Sequence, residues 1–310
     1  MQKLRDESIP AELQSLTEHY SEVTDDRDQL LWKWLWHVLP EFRLSCVPAE
    51  LAGTARKAKF CFSVYMTLLD DVSERHRDRA TFQAGRRIPF SDSVPGAGDP
   101  AVDSELFALL EHAWELTDRY MDAGPERASM AETFEFDFRQ SLNTMDYNRL
   151  VNDDPALASP TGADLYDTHN MLLFPYVDID LCFSPGFDSA DLPTLRDVTW
   201  EAQRLVRIGN WVTTWERELA EDDYTSKVVV EALDRGIVTR DQLTDEAVPD
   251  AVIRRRIAES DIVREQLLEW NRTYGSLRSR EFDVRSVDLD AFVDGIRYLL
   301  EVDVKARGYK

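Results

Sequence analysis

Lysine is scarce in this 310-residue chain: seven lysines stand beside 29 arginines, against 35 aspartates and 24 glutamates, for a net charge of −23. Polyanions are attracted to basic surface, so this balance argues against nucleic acid or anionic lipid as a partner. An Asp-rich, Lys-poor chain fits a protein from a high-salt cytoplasm, where dense counterions screen self-repulsion, and it also fits a simple acidic bias.

Cysteine is scarce too. Cys46, Cys61 and Cys182 are odd in number and widely spaced. They form neither a disulfide framework nor a CxxC metal pattern, which predicts reduced, buried thiols in an intracellular protein. No segment approaches the roughly 18 consecutive apolar residues of a membrane helix. The stretch MQKLRDESIPAEL lacks the apolar core that a signal peptide needs. The expectation is a soluble, cytoplasmic protein with no membrane insertion.

Strand-like alternation of β-branched residues between tight turns is largely missing, as is any repeat of roughly 20 to 50 residues or a low-complexity linker. Apolar residues instead recur at spacings of three and four, so the chain reads as nearly all helix. Breakers mark loops at 88–100, 152–164, 184–193 and 244–250. Helices are predicted near 26–38, 53–78, 102–121, 126–150, 163–181, 192–221, 224–235, 248–279 and 288–306. With 43% hydrophobic residues there is material for a large core. The simplest organisation is one helical domain over 1–310.

Within the helix predicted at 53–78, LLDDVSE places Asp70, Asp71 and Glu74 after the apolar run KFCFSVYMT. Asp70 and Glu74 are i and i+4 and share a face, with Asp71 one step around. A solvated helix end would explain such a cluster. However, Phe60, Val64 and Leu68 form a core-facing stripe leading to it, and carboxylates at the mouth of an apolar cavity suit a hard divalent cation such as Mg²⁺.

A second cluster lies in GNWVTTWERELAEDDYTS, where Asn210, Thr214 and Glu218 follow at i, i+4 and i+8. Their side chains drift only about 40° around a helix, so an amide oxygen, a hydroxyl and a carboxylate align over two turns. Asn and Thr are poor in helix interiors unless their side chains are used; an exposed polar stripe is the other reading.

Taken together, these residues resemble the DDxxD/E and NxxxS/TxxxE motifs of the class I terpene synthases of microbial type. The order and separation of the two motifs also match. The resemblance implies an all-α, single-domain helical bundle of the class I isoprenoid synthase type around a central apolar cavity. It further implies that Asp70, Asp71, Glu74, Asn210, Thr214 and Glu218 bind Mg²⁺, three ions in all, around an isoprenyl diphosphate. Arg217 stands where the family often has a diphosphate-contacting Lys. Arg297 and Tyr298, in the last predicted helix, resemble the Arg-Tyr pair that bonds the diphosphate on closure.

The chain departs from the family at the arginine that senses the diphosphate. The corresponding stretch, DLYDTHNMLLFPYVDID, contains no Arg. The position falls near Asn170, with His169 beside it. One of these donates to the diphosphate, or another arginine reaches in, and Arg207, three residues before Asn210, is the candidate. His169 as a capped or solvent-facing histidine and Arg207 as a surface ion pair are the structural alternatives.

Ionising a diphosphate ester requires neutralising the leaving group, and the allylic cation that results must be kept from water by apolar and aromatic walls. Phe62, Ser63 and Met66, before the aspartates, are the candidate cavity liners, with Phe60 behind them; plain core is the alternative for each. The segment WKWLWHVLP at 32–40 is either an amphipathic packing helix or a cap over the site.

The expected function is a Mg²⁺-dependent cyclase. It converts a linear isoprenyl diphosphate, farnesyl diphosphate foremost, to a terpene hydrocarbon or alcohol with release of diphosphate. As is common in the family, it would be a monomer or homodimer. A chain-elongating prenyltransferase would need a second Asp-rich motif where Asn210, Thr214 and Glu218 stand. A non-catalytic helical binding protein is the remaining alternative.

Overall fold

The computed structural model describes residues 6–24, 27–90, 98–245 and 247–307. The described chain begins with α1 (Ala11–Val23), α2 (Gln29–Val38) and a 3₁₀ turn at Leu39–Phe42. It continues through α3 (Ala49–Glu74), α4 (Arg79–Gly85), α5 (Ser104–Met121) and α6 (Arg127–Asp153). After α7 (Pro160–Leu165) comes a 3₁₀ segment, Asp167–Met171, that leads into α8 (Leu173–Cys182). The chain then forms α9 (Leu192–Ala220), α10 (Lys227–Asp234), α11 (Arg240–Thr244), α12 (Asp250–Ala258), α13 (Ile262–Arg278) and α14 (Leu289–Ala306). The architecture is all-α, with no strand among the described residues. No described helix is long and apolar enough to cross a membrane.

Local chemistry sets the helix starts. The side chains of Asp28, Asp103, Ser159 and Asp288 accept backbone N–H groups at the starts of α2, α5, α7 and α14. These bonds satisfy donors that have no partner within the helix. Pro10, Pro48 and Pro249 immediately precede α1, α3 and α12, where a missing N–H costs nothing.

Helix α3 is the central element, buried almost without interruption from Ala58 to Leu69. It packs along α5, while α6 lies against α8, and α9 against α13 and α14. The Leu39–Phe42 turn runs so close to α14 that a Cβ at Gly295 would collide with the Glu41 carbonyl oxygen. Buried apolar side chains from Leu13 to Val302 join in a continuous cluster. Inside it, Lys59 Nζ of α3 donates to Asp180 Oδ2 of α8 at 2.6 Å, and the Leu44 N–H donates to the same oxygen at 2.9 Å.

Helices α4 and α11 stand where no helix is predicted, and three further features differ from the sequence expectation. Helix α1 lies in a stretch where no helix was predicted, although Leu13, Leu16 and Tyr20 carry helical spacing and are fully buried. The helix expected over 248–279 is two, because the Ser260 hydroxyl donates to the Ile257 carbonyl at 2.6 Å and competes for the backbone at the break. The helix expected over 163–181 breaks at Leu172, whose φ is 58°. The restart at Leu173 places Pro175 in the first turn of α8, where its missing N–H is harmless. Of the loop expected at 88–100, positions 91–97 lie outside the described residues, as does position 246 of the loop at 244–250.

Candidate active site

The last turn of α3 separates its carboxylates by direction. Asp70 and Glu74 face a polar opening. Asp71, about 100° further around the helix, turns to the opposite side and is 1% exposed. There it accepts hydrogen bonds from the Tyr20 hydroxyl, from Arg27 Nη2 at 2.5 Å and from Arg27 Nε at 3.1 Å; Arg75 Nε lies 3.3 Å away. Of the three acidic residues expected to meet one ligand, Asp70 and Glu74 are the two whose side chains line the opening. Asp71 instead anchors α1 and the turn into α2 to the end of α3.

Helix α9 presents the second cluster. Asn210, Thr214 and Glu218 line the same space as Asp70, joined by Arg207 and Arg217. Arg207 is buried rather than at the surface. It grips Asp167 through Nε to Oδ2 (2.8 Å) and Nη2 to Oδ1 (2.7 Å), and its Nη1 donates to Asn210 Oδ1 at 2.7 Å. Trp211 Nε1 donates to the same Asp167 at 2.8 Å.

The break between α7 and α8 brings a run of residues to the cavity wall. Asn170, Met171, Leu172 and Leu173 all line it. His169 turns away, with Nδ1 3.3 Å from Gln203 Nε2 and its ring against Trp200. Burial lowers its pKa and favours the neutral ring.

The space has two compartments. An apolar one of about 220 Å³ is walled by Leu31, Trp34, Leu35 and Val38 of α2, together with Phe42, Met66, Tyr176 and Leu299. The second, of about 260 Å³, is polar and opens beside Glu74, Arg75, Arg77, Arg149, Asn152 and Asp223. Arg27, Asp70, Asn170, Arg207, Arg217 and Glu218 border both. The tryptophan-rich segment serves two ends at once: Trp32 and Trp36 pack into the core while Trp34 faces the cavity.

Several candidates lie elsewhere. Ser63 and Met66 line the cavity as expected, but Phe62 packs against Phe134, Phe138 and Tyr176 in the core, since it sits on the far side of α3. Arg297 points outward with its side chain 61% exposed and 3.5 Å from Glu301. The Tyr298 hydroxyl meets His37 Nε2 of α2 at 2.9 Å. Neither residue of that pair lines the cavity.

Carboxylates converge at the mouth, and burial raises their pKa values despite the arginines around them. Burial, reinforced by Asp71 and opposed by Arg27, pushes the Asp70 pKa up to about 7. Burial and then Asp223 push Glu218 to about 7. Glu74 is held well above the usual range by burial, with Asp70, Asp223 and Glu218 adding to it. Asp70 Oδ1, Glu74 Oε1 and Glu218 Oε2 are buried and lack a hydrogen-bond partner.

Such oxygens fit a hard divalent cation, which would supply the missing charge and ligation. Among the described residues, no three His, Cys, Asp or Glu side chains already stand in metal-holding geometry. The donor set here is mixed, with an amide and a hydroxyl beside the carboxylates.

No family model matches this chain, and no curated protein matches it either. Among solved structures, it is similar to the linalool/nerolidol synthase from Streptomyces clavuligerus in complex with 2-fluorogeranyl diphosphate. The TM-score is 0.51 at 13% sequence identity, with 96% of this chain and 98% of that chain covered. The chain shares the all-α fold of that synthase. At this identity the likeness carries the fold alone.

The sequence left several mouth residues unassigned. Asp223 lies just past the end of α9, after Asp222 with its φ of 59°, so helical spacing does not place it beside Glu218. Asp167, which holds Arg207 from behind the mouth, stands in the same stretch that lacks an arginine. Arg27 is 44 residues from Asp71, the carboxylate it holds, and no local pattern joins them.

Proposed function

We propose that this protein is a Mg²⁺-dependent terpene synthase. It ionises a linear isoprenyl diphosphate, with farnesyl diphosphate as the preferred substrate, and cyclises the allylic cation to a hydrocarbon or alcohol while releasing diphosphate. The observation that carries the reading is the shared border of the two compartments. Asp70 of α3 and Glu218 of α9 stand where a polar mouth meets an apolar cavity, and Asn210 and Thr214 line the cavity beside them.

Asp70, Glu74, Asn210, Thr214 and Glu218 would hold the metal, three ions if the family pattern applies, with Asp71 fixing the end of α3 behind them. When bound, Mg²⁺ neutralises the diphosphate and makes it a competent leaving group. Arg207, Arg217 and Arg27 border the mouth and bind the departing anion through charge-assisted hydrogen bonds. Leu31, Leu35, Met66 and Leu299 exclude water from the cation, and the faces of Trp34, Phe42 and Tyr176 stabilise its charge.

Arg207 takes the role of the absent sensing arginine. It reaches the mouth from α9 and is tied through Asp167 to the helix break whose residues line the cavity. The chain would work as one catalytic domain, alone or as a homodimer.

The test is incubation with Mg²⁺ and prenyl diphosphates of ten, fifteen and twenty carbons, at low and high salt, with diphosphate release and volatile products measured. EDTA should abolish both. Absence of release under every condition would overturn the reading, and a longer prenyl diphosphate as product would indicate chain elongation instead.

A further inference from the structure

Below Asp70 the cavity meets a hydrogen-bonded pair. Ser63 precedes Asp70 by two turns on α3, about 10 Å deeper along the helix axis. Its Oγ lies 2.7 Å from the Tyr176 hydroxyl of α8 and 2.7 Å from the backbone carbonyl oxygen of Lys59. Both side chains line the apolar compartment.

The direction of these bonds follows from counting protons. A serine hydroxyl has one, and a carbonyl oxygen can only accept. Ser63 therefore donates to Lys59, and at the second contact Tyr176 is the donor. The Tyr176 proton is committed to Ser63, and the phenol oxygen keeps a lone pair for a further partner. Donation along this chain also enriches that oxygen in electron density. Burial holds the phenol neutral, with its pKa pushed up to about 12.

The other polar groups on the wall are placed differently. Asn170 also borders the mouth, and Thr67 is less than one turn from Asp70. Asp303 has an interaction of its own. On the terpene synthase reading, an isoprenoid chain anchored at the mouth by its diphosphate would extend toward the Ser63–Tyr176 pair.

On the terpene synthase reading above, we propose that Tyr176 is the catalytic residue that accepts the terminating proton, and that Ser63 is the positioning residue that aims its lone pair. A C–H bond next to the cationic carbon breaks, its electron pair becomes the new alkene, and the proton goes to the phenol oxygen. A carbocation is acid enough to protonate a neutral phenol. The proton then passes to the diphosphate, the base that ionisation itself generates.

The experiment compares wild type with Tyr176→Phe, Ser63→Ala and Ser63→Thr, reading diphosphate release and the product mixture by gas chromatography and mass spectrometry. For Tyr176→Phe, which keeps the aromatic face, roughly half or more of the product should move to other alkene isomers or to alcohol, read as a fraction of total product whatever the rate of release. Ser63→Ala should shift the mixture the same way, and Ser63→Thr, which keeps the hydroxyl, should restore it.

An unchanged mixture from Tyr176→Phe overturns the proposal and leaves the terpene synthase reading standing. If that variant fails to fold, as judged by circular dichroism, the Ser63→Ala mixture decides in the same way. No release from the wild type overturns the underlying reading and the proposal with it.

Discussion

Arg207 and Asp167 meet as a fork-to-fork ion pair, 2.8 and 2.7 Å, that joins α9 to the segment before the helix break. Both side chains are nearly inaccessible, at 4% and 0% exposed. If Arg207 serves the diphosphate, Arg207→Ala should lower kcat/KM by roughly 10²-fold or more, as for loss of a preorganised charge donor. Arg297, exposed and facing Glu301, gives the contrast: Arg297→Ala should stay within about threefold of wild type. Steady-state kinetics on the two variants side by side checks this, and equal losses would return Arg297 to the site.

Neighbouring aspartates on α3 should fail in different ways. Asp70→Asn removes a carboxylate at the mouth and should cut turnover by orders of magnitude while the helical content stays intact. Asp71→Asn leaves the mouth in place but weakens bonds to Arg27, Tyr20 and Arg75. Its main effect should be a loss of about 2 to 4 kcal/mol in unfolding free energy, as expected when a buried charge loses its partner. Urea unfolding and single-turnover kinetics on both variants separate the effects.

Lys59 and Asp180 are a structural pair with no part in the mouth. Lys59→Met strands a buried carboxylate and should cost about 3 kcal/mol or more. Adding Asp180→Leu should recover only part of that loss. The Leu44 N–H then loses its acceptor, a penalty of about 1 to 3 kcal/mol. Full recovery in the double variant would show that the Leu44 bond contributes nothing.

What the sequence could reveal depended on distance along the chain. The faces of α3 and α9 follow from helical spacing, so Asp70 and Glu74, and Asn210, Thr214 and Glu218, were legible as two stripes. That both stripes border one cavity required the fold. Ser260, Leu172 and Pro175 fix the helix breaks through local hydrogen bonding and φ, signals that a pattern of apolar residues does not carry. Arg27 reaches the mouth, and Asp167 meets Arg207 behind it, only through tertiary contacts, and the outward turn of Arg297 depends on how α14 sits against its neighbours.

The raised carboxylates make stability depend on pH in a definite sense. Asp70 and Glu218 titrate near 7 in the folded chain, and ordinary carboxylates in an unfolded chain titrate near about 4. Between those values the native state binds more protons than the unfolded one, so stability falls as pH rises across the window. Mg²⁺ needs the ionised carboxylates, and it should offset their repulsion most where they are charged. The melting temperature of the metal-free protein should therefore drop from about pH 5.5 to about pH 8 by several degrees. Mg²⁺ with inorganic diphosphate should restore it at the higher pH and change little at the lower. Asp70→Asn should flatten both responses. A Mg²⁺ response equal at the two pH values, or one that survives Asp70→Asn undiminished, would place the metal away from these carboxylates.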